Sequence, residues 1–132
     1  MMSEKFNEST PQRPEGDRVL DAQLVQIDLA KYIREIKNEE AWHKSDRNAI
    51  TIFKADAMTI VLVALHANAE MKPHTAKGVI SVQVLEGSIK FGTTGQSVTL
   101  DKTQMVTLHE NIQHSVVALE ESVFLLTVAH VK

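Results

Sequence analysis

The stretch Pro73-His74-Thr75-Ala76-Lys77-Gly78-Val79-Ile80-Ser81-Val82-Gln83-Val84-Leu85-Glu86-Gly87 decides the fold. From Val79 it is rich in β-branched residues, which suit a pleated and half-buried surface. Side chains of a strand point alternately to opposite faces, so Ile80, Val82 and Val84 share one face while Ser81 and Gln83 share the other. The spacing predicts a strand over Val79–Glu86 with Ile80, Val82 and Val84 turned inward and Gln83 outward. Gly87 then punctuates the chain.

The same grammar runs outward from this strand in both directions. Ile50–Lys54, Met58–His66, Ser88–Phe91, Gln96–Leu100, Gln104–Leu108, Ile112–Leu119 and Ser122–Val131 are rich in Val, Ile, Thr and Leu. Turn residues separate them: Ala55-Asp56, Asn68 to Pro73, Gly92 to Gly95, Asp101-Lys102, Glu110-Asn111 and Glu120-Glu121. Short strands recurring at about 8 to 12 residues predict an all-β sandwich or barrel, here of the jelly-roll kind, over residues 49–132.

The first 48 residues read differently. Pro11, Pro14, Gly16 and mixed charges mark residues 1–18 as a disordered or loosely ordered tail without the apolar core of a secretory signal. Residues 19–48 read as a helical arm. Leu20 to Ile27 suits a short edge strand. Asp28 is then a suitable N-cap, with Leu29, Tyr32, Ile33 and Ile36 on one helical face. Asn38, Glu39 and Glu40 open a further turn that ends near Trp42. Trp42 and Arg47 are the expected anchors of the arm.

Composition narrows the function. The 132 residues carry 14 Lys+Arg against 17 Asp+Glu, a formal net charge of -3. Nucleic-acid binding usually shows a basic surplus, which is missing here. No run approaches the ~20 apolar residues of a membrane-spanning helix. With no cysteine, thiolate catalysis and Cys-based metal sites are excluded, and a cytoplasmic setting is expected. Six histidines remain to carry metal or acid–base chemistry: His43, His66, His74, His109, His114 and His130.

The quoted stretch resembles the first motif of the cupin superfamily, in which a glycine, a His-x-His pair, a glutamate and a closing glycine follow one another. His74 falls on the first histidine, Ala76 on the second, Ile80 on the glutamate, Gly87 on the closing glycine and Asn68 on the opening one. Leu100 to Ala118 is similar to the second motif, with His114 as its histidine and departures at Thr103, His109, Asn111 and Ala118. Val116 to Leu126 resembles the last hairpin of the family. The resemblance implies a small single-domain cupin barrel with a short N-terminal helical extension, which packs on the barrel or on a partner subunit.

In metal-binding cupins, three histidines and a glutamate hold the ion. Here two of those positions carry Ala76 and Ile80, which have no donor atom. The resemblance therefore implies a partly dismantled metal centre. Metal-ligand candidates are His74 and His114, with His109 as a weaker third; the ion would be a divalent transition metal (Zn, Fe, Mn or Ni), although a metal-free site is the preferred reading. His43, His66 and His130 are expected at exposed or strand-end positions. The preferred function is small-molecule binding in the barrel, with His74 and His114 as the polar centre and Ile80, Val82 and Val84 as the apolar wall. Two readings compete with it. One is a metal-dependent enzyme of dioxygenase or isomerase type, using His74, His114 and a substitute third ligand. The other is an interaction module. Uncovered apolar edge strands lead to the expectation of a homodimer.

Overall fold

The alternation of Ile80, Val82 and Val84 against Ser81 and Gln83 is realised in strand β6 (Gly78–Glu86), where buried and half-buried residues alternate. A computed structural model describes residues 5–7 and 18–131. Two short strands, β1 (Lys5–Asn7) and β2 (Arg18–Asp21), pair antiparallel ahead of the helices α1 (Leu29–Asn38) and α2 (Glu40–Lys44). β3 (Arg47–Lys54), β4 (Met58–Leu65) and β5 (Glu70–His74) precede β6. β7 (Ser88–Thr93), β8 (Ser97–Asp101), β9 (Met105–Leu108), β10 (His114–Ala118) and β11 (Ser122–His130) complete the chain.

The strands after the helices form two antiparallel sheets, ordered β3-β4-β11-β6-β9 and β5-β10-β7-β8. Sequence neighbours β10 and β11 lie in different sheets, as do β6 and β7, so the chain crosses between layers as a jelly roll does. Between the sheets lies one apolar core. Val63, Leu65, Ile80, Val82, Val84 and Phe124 enter it from the larger sheet, and Ile89, Phe91, Leu100, Val116 and Ala118 from the smaller.

The larger sheet is apolar on its other face too, and the arm covers part of it. Ile36, Trp42, Ile50, Ile52, Leu62, Ala64 and Val123 form a second buried cluster, with Leu29, Tyr32 and Ile33 packed against it. β11 shows why both faces are needed: Phe124 turns to the inner core and Val123 to the arm. Asp28 caps α1 as expected, its carboxylate accepting from the Lys31 N–H, a contact worth about 1 kcal/mol. Lys37 at the other end of α1 bridges Glu86 (2.7 Å) and Glu121 (3.2 Å). Burial works against that ammonium, but hydrogen bonds to the two carboxylates outweigh it and raise its pKa above the ordinary lysine value.

The extension thus packs on its own barrel. Trp42 is 5 % exposed and lies flat on the His66 ring, with centroids 3.5 Å apart and planes 15° from parallel. His66, expected at an exposed or strand-end position, is half-buried just past β4, and its Nε2 donates to the Trp42 carbonyl. Arg47 donates to the Asp46 carboxylate and the Glu70 carbonyl, and its guanidinium holds the Asp46 carboxyl below the usual carboxylate range.

Three expectations are corrected. Lys5–Asn7, placed in a loose tail, is a strand; the rest of that tail, apart from Arg18, lies outside the described residues. The strand expected over Leu20 to Ile27 ends at Asp21, and Leu24 is 89 % exposed, because the chain turns there to reach the α1 cap. The turn expected from Asn68 to Pro73 shrinks. Asn68 holds the left-handed conformation (φ 71°), and β5 begins at Glu70. Pro73 is tolerated because β5 is a sheet edge, where a missing N–H costs no ladder bond.

Candidate functional site

The site is built by two strands that the sequence separates by 40 residues. β5 and β10 pair antiparallel, and their register sets His74 directly opposite His114. Beyond that pair the register shifts: His114 faces His74, yet Val116 faces Met71. Two steps along β10 therefore match three along β5. The extra residue at Lys72-Pro73 is a bulge, and a bulge re-aims the side chains beside it. Met71 and His74 consequently both reach the inner side, where simple alternation would have separated them. On β10, His114, Val116 and Ala118 are buried in alternation, which places His114 on the core face.

The two imidazoles touch. Their centroids are 4.3 Å apart with planes tilted by 59°. Phe91 lies nearly parallel to His114 on β7, at 5.6 Å and 13°. His114 is 5 % exposed, whereas His74 is exposed, so the pair forms a step from core to mouth. Both rings are held in the same way. His74 Nδ1 is 2.8 Å from the Lys72 carbonyl, and His114 Nδ1 is 2.9 Å from the Ile112 carbonyl. A carbonyl oxygen can only accept, so each Nδ1 carries a proton and donates it. In the neutral ring, each Nε2 then keeps its lone pair.

The wall residues are inward, as read from alternation, but they are closely packed. Ile80, Val82 and Val84 are 2 %, 2 % and 0 % exposed. They belong to the packed core between the sheets, so a ligand at the mouth would not touch Val82 or Val84 without repacking that core. A cavity of about 70 Å³ lies to one side, lined by Phe91, Thr93, Ser97, Val98, Val106 and Leu108 among others. It falls well below the ~300 Å³ at which small-molecule pockets begin.

The donor set does not fit a cupin-type metal centre. Ala76 and Ile80 both pack on the inner core, so the positions that resemble ligand sites do face inward, yet they present only alkyl groups. His109, the weaker candidate for a third ligand, is 86 % exposed with Glu110 as its charged neighbour. Its loop is turned outward while the Asn111 N–H is tied to the Ala76 carbonyl. Among the described residues no group of three or more His, Asp or Glu side chains could hold an ion. Two imidazoles fall short of the three protein ligands of catalytic zinc sites. His43 is exposed, and His130 is exposed at the end of β11, bonded to Thr59 at 2.7 Å. What sequence reading missed is the pair of carbonyls that orient the rings, along with the Phe91 contact. Pro73 beside His74 was the available signal for the bulge.

No family model and no curated protein matches this sequence. Solved structures do. A cupin superfamily protein from Desulfitobacterium hafniense superposes with a TM-score of 0.65 over 96 % of this chain and 99 % of that one, at 11 % identity. A cupin-2 domain protein from Shewanella frigidimarina gives 0.64 over 79 % and 94 %, at 16 % identity. A salicylate 1,2-dioxygenase from Pseudaminobacter salicylatoxidans gives 0.59 at 17 % identity, over 64 % of this chain but 26 % of that one. Neighbours of the same fold thus include an enzyme and proteins named only by fold. No helix among the described residues is long and apolar enough to cross a membrane. The chain has the cupin fold.

Proposed function

We propose that this cupin-fold chain binds a small molecule at the mouth of its barrel, with His74 and His114 as the polar centre beside the apolar core. The observation that supports this reading is the contact between the two rings, both held by backbone carbonyls and both left with Nε2 uncommitted. Convergent polar groups beside apolar surface are the usual make-up of a ligand site. The mouth, more than the packed interior, is where such a ligand fits. No catalytic step is assigned, because a fold shared by many chemistries licenses none by itself.

A fragment screen by histidine-ring NMR tests the reading. Hits are expected to shift His74 and His114 together, and His74→Ala is expected to weaken them about tenfold, the loss of one hydrogen bond and its ring contact. Because His74 is exposed, that variant should keep its melting temperature. Hits that map to the cavity beside Val98, with His74→Ala indifferent, would overturn the proposal.

The same proposal includes a homodimer. Val98 and Met105, on the edge strands β8 and β9, are 40 % and 50 % exposed, and apolar edges of this kind favour pairing. Sedimentation equilibrium is expected to give twice the chain mass; a monomer at tens of micromolar would remove the dimer from the reading.

A further inference from the structure

We infer that the ligand of the histidine pair is a hydrogen-bond donor, a molecule presenting two neighbouring hydroxyl groups, and not a carboxylate or phosphate. The inference rests on the proposed mouth site and follows from how its rings are held. Each imidazole has two nitrogens, and in both rings Nδ1–H is already spent on a carbonyl, of Lys72 for His74 and of Ile112 for His114. The neutral pair therefore has no N–H left to offer, only two Nε2 lone pairs.

An anionic oxygen brought to those lone pairs meets repulsion, because neither ring has an N–H free to donate to it. Two hydroxyls meet no such repulsion, since each donates to one Nε2. With centroids 4.3 Å apart, the rings also leave no room for a ligand between them. A ligand that uses both nitrogens must therefore lie across the ring ends, and two adjacent donors on one small framework suit a pair of rings this close. Apolar surface for the body of that framework is present beside the pair at Ile112, 40 % exposed, and at half-buried Met71 and Ala76.

The test uses the full chain labelled with 15N, in metal-stripped buffer near pH 8, and three probes of one shape: catechol, 1,2-dimethoxybenzene and phthalate. Long-range ring correlations report directly which nitrogen carries the proton. The expected result is Nδ1–H in both rings, with catechol moving the Nε2 signals of His74 and His114. 1,2-Dimethoxybenzene, which keeps the body but lacks the donors, is expected to bind about ten- to a hundredfold more weakly. Phthalate is expected to bind no better than 1,2-dimethoxybenzene. Equal affinity for catechol and its dimethyl ether, tighter binding of phthalate, or a proton on Nε2 would each overturn the donor inference and leave the mouth site standing. If none of the three probes moves either ring, the mouth site itself falls, and this inference with it.

Discussion

Replacing Ala76 with His and Ile80 with Glu is expected to raise the affinity of the chain for Ni²⁺, Zn²⁺ or Mn²⁺ by about a thousandfold, because the donor set grows from two imidazoles to four ligands. Both positions pack on the inner core, the side to which His114 also turns, so the new side chains start on the correct side of the sheet. The two existing rings already have Nδ1–H fixed on carbonyls, the orientation that metal-ligating histidines normally need. The cost falls on the metal-free variant. Ile80 is 2 % exposed, and a carboxylate buried there without a partner destabilises the barrel by several kcal/mol. Metal should restore what the substitution removes, so the melting temperature of Ala76→His/Ile80→Glu is expected to climb with metal concentration while that of the parent stays flat. Elemental analysis after dialysis gives the stoichiometry, and isothermal calorimetry the affinity. The single variant Ala76→His should fall between the two. A folded double variant that binds no better than the parent would show that these positions are not aimed at the pair.

The barrel was legible because its signals are local. Alternation in β6, the apolar runs of β4 and β11 and the turns between strands are each carried by a few consecutive residues, and each became an element of the expected kind. The helix was legible for the same reason, through Asp28 and the spacing of Leu29, Tyr32, Ile33 and Ile36. β5 was not, since Pro73 and the polar residues Glu70, Lys72 and His74 hide a strand whose partner, β10, lies 40 residues onward. His74 and His114 could be singled out by resemblance, but their contact depends on register and on a bulge, and register is a property of two strands together. The orienting carbonyls are further out of reach, because a backbone acceptor has no residue type to read. His66 does lie at the end of a strand, but its half-burial and its stacking on Trp42 come from the arm folding back over the sheet, a packing choice that no window around His66 encodes.

Gly87→Ala is expected to cost about 3 kcal/mol and to lower the melting temperature by about 10 °C, a large effect for one methyl group on a turn. Gly87 adopts φ 83°, where an L side chain is strained by about 1–2 kcal/mol. An added Cβ would also lie well inside 3.0 Å of the Glu121 carbonyl oxygen and of Ser122, all on the turn that leads into β11. That neighbour cannot yield cheaply. Ser122 is fully buried, and its hydroxyl accepts from the Ser88 N–H at 3.0 Å while lying 2.8 Å from the Glu120 carbonyl. Pushing it aside breaks bonds that hold the β6–β7 turn to the β10–β11 turn, where the two sheets are stitched together. Gly95 supplies the comparison: an added Cβ there meets nothing within 4 Å, and Gly95→Ala is expected to change stability by no more than about 0.5 kcal/mol. Urea unfolding of the two variants side by side separates the positional effect from any general loss of glycine. Midpoints that fall equally, or a Gly87→Ala protein as stable as the parent, would mean that the closing glycine is not required by the backbone of this barrel.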